Sequence, residues 1–301
     1  MSKSVAKVVT VGSLHYDIFV EAPHRPAAGE TVAGHRWYPK FGGKGGNQAI
    51  AAARAGARSA IVSAVGNDGF APLLFQELEA AGVQTAFVSS VNEPTGMSVA
   101  IADADGDYGA VIVSGANLRI DPTQLVRAEL WSGASHLMLQ NEVNEAANTA
   151  AAWAARERGV TVCLNAAPWR ATSEKLLDLV DILVVNALEA EALCGIEVAG
   201  LETAGQAARA LADRFATVVV TAGGDGVAMA AKGKSITLPA QKISVVSTHG
   251  AGDCFIGTFV GRLAAGDDRE VALEAANSAA ARHVSRARTY APVARMNGPI
   301  T

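Results

Sequence analysis

The stretch Ile182-Leu183-Val184-Val185-Asn186 sets the fold class, because four consecutive apolar residues are followed at once by a polar one. A continuous apolar run is typical of a strand buried on both faces, as in a parallel sheet. The side chain that follows such a strand usually faces the crevice where open α/β sheets bind ligands. Asn186 is therefore a candidate binding residue.

Similar apolar runs recur along the chain and alternate with longer Ala-rich stretches. The other predicted strands are 7–11, 59–62, 136–139, 161–164 and 218–221. The predicted helices are 47–55, 72–81, 145–158, 203–215, 253–265 and 270–284. This alternation predicts a Rossmann-like α/β fold, with a mostly parallel sheet flanked by helices on both faces.

Two segments break this rhythm and predict a small β-sheet lid. Residues 18–41 contain three prolines and scattered aromatics but no helical period. Residues 95–115 are interpreted as two strands around Asp105-Gly106, a step that favours a hairpin. We expect both segments to be antiparallel and to lie over the ligand edge of the main sheet. The α/β core would then comprise residues 1–17, 42–94 and 116–301.

The composition excludes several classes of protein. The 301 residues carry a formal net charge of −4 and no long basic tract, which disfavours nucleic-acid binding and favours small-molecule partners. The sequence has no signal-peptide pattern and no apolar stretch long enough to cross a membrane. Its three cysteines form no CxxC pair and its six histidines no metal-ligand spacing, so we expect a cytoplasmic protein without a transition metal.

A first glycine-rich run, Phe41-Gly42-Gly43-Lys44-Gly45-Gly46-Asn47, directly precedes a predicted helix. Glycines allow backbone conformations and close approaches that other residues resist. Amide groups at the helix start can then face a ligand. Taken alone, the run could also be a flexible turn with Asn47 as an ordinary N-cap. We interpret it as a candidate binding loop.

A second run, Ser247-Thr248-His249-Gly250-Ala251-Gly252-Asp253, leads into another predicted helix. Its small residues Gly250, Ala251 and Gly252 let backbone N–H groups converge as an anion hole. Asp253 could be a simple helix-start acid, and there the helix dipole would lower its pKa. A cap alone, however, needs no small-residue run before it. We interpret Asp253 as the catalytic base that accepts a hydroxyl proton while the anion hole holds a transferring phosphoryl group.

Two common nucleotide-binding motifs are missing from the sequence. Gly233-Lys234-Ser235 resembles the end of a Walker A loop, but Ala228 stands where the first glycine belongs. Gly12 after the first strand is not followed by the GxGxxG pattern of dinucleotide-binding proteins. A nicotinamide-dependent dehydrogenase is therefore disfavoured.

Further short motifs lie between the two glycine runs or before them. They are Gly12-Ser13 through Asp17, Gln140-Asn141-Glu142, Asn165-Ala166-Ala167-Pro168, Asn186-Ala187-Leu188-Glu189 and Thr221-Ala222-Gly223-Gly224-Asp225-Gly226. With these motifs in this order, the chain resembles the PfkB carbohydrate kinase family and its ribokinase-like members over nearly its full length. The resemblance implies a ribokinase-like fold. It also implies an enzyme that uses ATP and Mg²⁺ to phosphorylate a primary hydroxyl of a small, ribose-like sugar.

The same resemblance implies roles for individual residues. The sugar would be held by Asp17, Gly43, Lys44, Asn47, Glu142 and Asp253. The nucleotide would lie against Asn186, Thr221, Gly223, Gly226, Ala251, Gly252 and Asn277. Asn186 and Glu189 match the family's Asn-x-x-Glu motif, which implies Mg²⁺ held largely through water. Family likeness also implies a homodimer that pairs through the lid.

Two positions depart from the family pattern. His15 stands where ribokinase-like members have Asn, and imidazole offers a different shape and hydrogen-bonding capacity. Ser247 stands where they have an acid that helps to bind an activating monovalent cation, and residues 286–291, which would supply other ligands, also differ. The requirement for K⁺ is therefore uncertain.

The acceptor has alternatives as well. A nucleoside such as adenosine could be the substrate if its base stacked on Phe19, Trp37, Tyr38 or Tyr108, although these rings could equally form the core of the lid. From another class, the chain could be a sugar-binding regulator without catalysis. The intact Gly250-Ala251-Gly252-Asp253 run favours an enzyme over a regulator.

Overall fold

The computed structural model describes residues 5–104 and 108–285, apart from the side chain of Tyr108. The predictions for residues 286–291 and for Tyr108 as a stacking partner lie outside this described part. Within it, the strands form one sheet of nine strands and one of four.

The strands are β1 Lys7–Val11, β2 His15–Glu21, β3 Arg36–Gly42, β4 Arg58–Gly66, β5 Val83–Val91, β6 Met97–Ala102, β7 Tyr108–Val113, β8 Ala134–Gln140, β9 Thr161–Asn165, β10 Ile182–Asn186, β11 Thr217–Thr221, β12 Gly226–Ala231 and β13 Lys234–Pro239. The helices are α1 Lys44–Arg54, α2 Ala71–Ala80, α3 Ala128–Trp131, α4 Glu145–Arg156, α5 Glu174–Leu177, α6 Ala187–Cys194, α7 Leu201–Leu211, α8 Ala251–Ala265 and α9 Arg269–Ser285.

The large sheet has the strand order β13-β12-β11-β10-β9-β8-β1-β4-β5. All neighbours from β11 to β5 are parallel, and the β12–β13 hairpin adds two antiparallel strands at one edge. From β1 the chain moves first to β4 and β5 on one side and later to β8–β11 on the other. The strand order therefore reverses beside β1, and such a switch point opens a crevice at the carboxyl ends of the strands.

Burial on both faces explains the apolar strands. In β10, Leu183 and Val185 point into the core that contains the apolar sides of α4 and α7. Ile182 and Val184, on the opposite face, pack in a second core with α8 and α9. Successive side chains of a strand alternate between faces, so each face needs its own apolar set. The predicted α/β fold with helices on both faces is confirmed.

The four-stranded lid sheet has the order β3-β2-β6-β7. The pairs β2–β3 and β6–β7 are antiparallel, but β2 and β6 run parallel to each other. Each of the two segments is therefore antiparallel, as predicted, and the parallel pairing joins one segment to the other. The chain enters each hairpin from the carboxyl end of a core strand, β1 or β5, and those strands point the same way. The first strands of the two hairpins consequently run in the same direction.

Two smaller differences concern glycine-containing segments. Helix α1 begins at Lys44, three residues before the predicted start, because Gly43 takes the N-cap position with a positive φ of 87°. Gly233, at φ +76°, lies in the tight turn of the β12–β13 hairpin, so Gly233-Lys234-Ser235 is part of a hairpin and not of a phosphate loop. Among the described helices, none is long and apolar enough to cross a membrane.

Candidate active site

Polar residues at the carboxyl ends of the parallel strands meet in one crevice. Glu142 follows β8, while Asn165, Asn186 and Thr221 end β9, β10 and β11. All four line a cavity of about 400 Å³ that is also lined by both glycine runs and by lid residues. Cavities of this size hold small organic ligands. The prediction that Asn186 faces a ligand crevice is consistent with this arrangement.

Glu142 anchors the first glycine run to the sheet. Its Oε2 accepts hydrogen bonds from the backbone N–H of Lys44 at 2.8 Å and from the Ser13 hydroxyl at 2.5 Å. The Ser13 oxygen in turn accepts from the N–H of Gly45 at 3.4 Å. A carboxylate that accepts from the start of a helix also interacts favourably with the helix dipole. Glu142 therefore fixes the loop as well as facing the cavity.

Asp253 lies in the first turn of α8 and is only 6% exposed. Its two carboxylate oxygens accept hydrogen bonds from Gln48 Nε2 at 2.9 Å and from Asn47 Nδ2 at 3.4 Å. Gln48 is held by Gln140, whose Nε2 donates to Gln48 Oε1 at 2.9 Å. A chain of buried amides therefore orients this carboxylate.

Burial raises the pKa of Asp253, although Lys44 and the hydrogen bonds from Gln48 and Asn47 oppose the change. The expectation of a lowered pKa was wrong, because removal of water from the carboxylate outweighs its position at a helix start. A carboxylate with a raised pKa is a stronger base than an ordinary aspartate.

Lys44 provides positive charge among these acids. Burial alone would lower its pKa, but attraction to Asp253, Glu142 and Glu189 outweighs burial and raises the pKa. The ammonium group therefore stays protonated across the neutral range, and Lys44 contributes to the cavity wall from within the first glycine run.

Close packing of α1 against α8 brings the two runs together. At Gly257, on the face of α8 that meets α1, an added Cβ would lie 2.4 Å from the backbone oxygen of Gln48. Only glycine allows this approach. The contact places the start of α1, with Asn47 and Gln48, against Asp253.

The second run forms the start of α8 largely as expected. Gly250 is the N-cap residue in a left-handed conformation, with φ of 78°. The amide of Ala251 already donates to the Thr248 carbonyl at 3.2 Å. The amides of Gly252 and Asp253 make no hydrogen bond to another described residue, so they are better placed than Ala251 to receive an anion.

The lid contributes Asp17 and His15 to the same cavity. Asp17 Oδ1 accepts a hydrogen bond from the Ser98 hydroxyl at 2.5 Å, and burial raises the pKa of Asp17. His15 is 3% exposed, and its Nε2 has no hydrogen-bond partner among the described residues. An orphaned buried nitrogen is costly unless a ligand satisfies it.

The predicted nucleotide residues fall into two groups. Thr221 and Asn186 line the cavity. Gly223, Gly226 and Asn277 do not line it and lie towards the β12–β13 hairpin. There the Asn277 Nδ2 donates to the Pro239 carbonyl at 2.9 Å, and Pro239 pairs with Gly226.

Glu189 was predicted to help place Mg²⁺, and its carboxylate caps α6. Its oxygens accept from the Asn186 backbone N–H at 2.9 Å and from Asn186 Nδ2 at 3.0 Å. It lines the cavity, and burial raises its pKa. Among the described residues, no cluster of three His, Cys, Asp or Glu could bind a metal directly. This donor set fits a hydrated cation held through water.

The sequence alone assigned no role to three residues that support the site: Gln48, Gln140 and Ser98. Gln48 and Ser98 hydrogen-bond the two buried aspartates, and Gln140 holds Gln48. The position of Gln48 directly after the first turn of α1, beside Asn47, was the one available signal. The partners themselves come from distant parts of the chain.

Comparison with known proteins extends these observations. A model of the pfkB family carbohydrate kinases matches residues 5–295. The chain is 34% identical over 284 residues to the ribokinase of Haemophilus influenzae, with 93% of each chain covered. It is 30% identical over 273 residues to the deoxyribokinase of Salmonella typhi, with 89% of each covered. The structure of Arabidopsis thaliana ribokinase complexed with ribose and ATP has a TM-score of 0.85 to this fold, 32% identity and 93% coverage of each chain.

A doubly wound core, a β lid and a buried acid at a helix start beside a glycine loop define a phosphotransferase of the carbohydrate kinase type. The chain belongs to the pfkB family of carbohydrate kinases. Within that family it is a ribokinase-like protein.

Proposed function

We propose that this protein is an ATP-dependent kinase that transfers the γ-phosphoryl group to a primary hydroxyl of a small sugar, with ribose as the first candidate. One observation carries the proposal. A single cavity collects a buried base, a lysine, a helix-start anion site and polar lid residues. Ribokinase relatives that match nearly the full length of the chain support the choice of ribose.

Asp253 acts as the base in this proposal. As the acceptor O–H bond breaks, its proton passes to the carboxylate while the sugar oxygen bonds to phosphorus and the bond to the leaving ADP breaks. Asn47 and Gln48 hold the carboxylate oxygens in place. The amides of Gly252 and Asp253, with Gly250 and Ala251 shaping the turn, hold the charge of the transferring group.

The sugar lies between the lid and the first glycine loop. Asp17 accepts hydrogen bonds from the sugar hydroxyls, and Asn47 donates hydrogen bonds to them. Gly43 lets the loop backbone approach the sugar closely. Lys44 and Glu142 complete the wall on the core side. The lid excludes water, which would otherwise compete as phosphoryl acceptor.

The phosphates of ATP extend from the anion site towards Asn186 and Thr221. The nucleoside lies beyond them, near Gly223, Gly226 and Asn277. Bound Mg²⁺ would neutralise phosphate charge, with Glu189 and Asn186 holding its waters. Lys44, which stays protonated, complements the negative charge that the two substrates bring.

A nucleoside acceptor is less well supported. Phe19 lines the cavity, but its ring stacks on Tyr38 at a centroid distance of 5.5 Å and meets Lys40 at 5.0 Å. Trp37 is 56% exposed and does not line the cavity. The Phe19 ring is therefore already packed within the lid, which favours a sugar without a base.

The working environment proposed for this kinase is the cytoplasm, with small-molecule partners and a second copy of the chain. The described cysteines are free, in keeping with a reducing compartment. The exposed apolar residues of β7 would be covered in a homodimer that pairs through the lid.

A substrate panel tests this function. Purified protein is assayed for ATP consumption with ribose, 2-deoxyribose, hexoses and nucleosides, with and without Mg²⁺. We expect the highest kcat/KM for ribose and loss of turnover without Mg²⁺. Preference for a nucleoside would show that the acceptor is a nucleoside and not ribose. Sugar binding without turnover on any compound would identify a regulator.

A further inference from the structure

The C-terminal end of α9 contacts the loop that forms the anion site. His283 Nε2 lies 2.9 Å from the backbone oxygen of His249. A carbonyl oxygen can only accept a hydrogen bond, so Nε2 must carry the proton in this contact. The bond spans 34 positions of sequence and joins two different elements.

The same imidazole lies directly beside the helix start. A Cβ built on Gly250 would be 3.3 Å from His283 Nε2. Gly250 holds a positive φ of 78°, and the residues that follow it line the cavity. The ring therefore lies against the residue whose conformation sets the direction of the anion site.

Two backbone bonds hold the other side of the loop. The amides of Val246 and Ser247 both donate to the carbonyl of Val284, at 2.8 and 3.2 Å. His283 and Val284 are adjacent, so the last turn of α9 holds the loop both before and after Thr248. This double attachment leaves little freedom for the anion site to tilt.

Position 247 offers a monovalent cation no carboxylate. Ser247, where family members have an acid, is neutral, and its hydroxyl oxygen accepts from the His249 amide at 3.4 Å. The His249 carbonyl already accepts a hydrogen bond from His283. Among the described residues, the donor to this carbonyl is therefore a side chain.

We propose that His283 is a positioning residue that fixes the anion site through the His249 carbonyl and so takes over the task of an activating monovalent cation. Its N–H supplies the positive partial charge that this carbonyl faces. The proposal rests on the kinase function above, because the anion site matters only if a phosphoryl group is transferred.

The test compares three variants of the full chain in steady-state kinetics with ribose and ATP. His283→Leu removes the donor, His283→Gln keeps an N–H at similar reach, and Arg282→Gln changes an exposed neighbour on the same helix. We expect kcat of His283→Leu to fall by about 10- to 100-fold with the KM for ribose nearly unchanged. His283→Gln should recover most of this loss, and Arg282→Gln should match the wild type.

A second measurement examines the anion site itself. ADP with aluminium fluoride and ribose mimics the transferring group, and His283→Leu should bind this combination more weakly by about the same factor as kcat falls. Affinity for ADP alone should not change. Normal kcat in His283→Leu, equal loss in the Gln variant, or an equal loss of ADP affinity would overturn the proposal.

Two further measurements use the wild-type protein, so they test the proposal even if a variant does not fold. Nitrogen-15 NMR of the histidine rings should show His283 as the Nε2–H tautomer, whereas the Nδ1–H tautomer would contradict the contact. Replacing K⁺ with choline at constant ionic strength should leave kcat unchanged. A strong K⁺ requirement would refute the proposal that His283 takes over the task of a monovalent cation. Absence of any sugar turnover in the wild type would instead refute the kinase function.

Discussion

Asp253 can act as a base only while it is ionised, and its burial makes ionisation unfavourable. The buried amides of Gln48 and Asn47 and the charge of Lys44 partly offset this cost. The result is a carboxylate that is oriented, dry and more basic than usual. At the scale of single residues, two substitutions separate these contributions.

Replacing Asp253 with Asn is expected to lower kcat by about 10²-fold or more while ribose binding changes only modestly, because the amide cannot accept the proton. The substitution should also stabilise the protein at neutral pH. The folded protein binds this proton up to a higher pH than the unfolded chain, so stability falls as pH rises between the two pKa values. Kinetics, and thermal unfolding at acidic and neutral pH, check both effects.

Asp213→Asn is the matched control, because Asp213 is an exposed acid. We expect wild-type kinetics and a wild-type melting temperature from it. Normal turnover in Asp253→Asn would remove Asp253 from its role as base.

Replacing Gln48 with Met removes the shorter of the two hydrogen bonds to the Asp253 carboxylate. The pKa of Asp253 should rise further, since this bond favours the charged form. The acidic limb of the pH profile of kcat/KM should therefore move to higher pH, with activity recovering under more alkaline conditions. Gln206→Met, at an exposed site on α7, should leave the profile in place, and an unshifted limb in Gln48→Met would contradict the role of the amide chain.

At the scale of elements, the contact between α1 and α8 determines whether the site exists. Gly257→Ala would place a methyl group 2.4 Å from the Gln48 carbonyl, so the helices must move apart. We expect a loss of about 1–3 kcal/mol in the free energy of unfolding, and a drop in kcat because Gln48 moves away from Asp253. Calorimetry and kinetics check the two losses.

Gly69→Ala is the control for this substitution, because a Cβ at Gly69 meets no atom within 4 Å. Equal melting temperatures for Gly257→Ala and the wild type would show that the two helices can adjust without cost.

The sequence predicted elements well where their pattern was local. The apolar run Ile182-Leu183-Val184-Val185 identified a strand buried on both faces, and the two packed cores account for it. The parallel pairing of β2 with β6 was missed because it depends on where β1 and β5 end in space. The amide partners of Asp253 were missed for a related reason, since no periodicity records a contact between distant helices.

At the scale of the whole molecule, the outer edge of the lid bears on assembly. Val111 on β7 is 68% exposed, and the strand lies at the edge of its sheet. An exposed apolar edge strand is stabilised when another chain covers it. If the proposed dimer forms through this edge, a charge at Val111 should separate the subunits.

Analytical ultracentrifugation of the wild type should show a species of twice the 30.8 kDa chain mass, and Val111→Asp should shift it towards the monomer. Val126→Asp is the matched control, because Val126 is 72% exposed but lies outside the lid. A monomeric wild type, or equal dissociation in both variants, would contradict pairing through the lid.

The two hydrogen bonds to Asp253 join residues 205 and 206 positions apart in the chain. The ribosome synthesises the first glycine run long before Asp253. A nascent chain can therefore fold its first strands before its active site is complete. Contacts this distant also close late in refolding, because the intervening chain must be ordered first. Recovered activity should therefore report completion of folding, and it should lag behind the return of helical signal after dilution from denaturant.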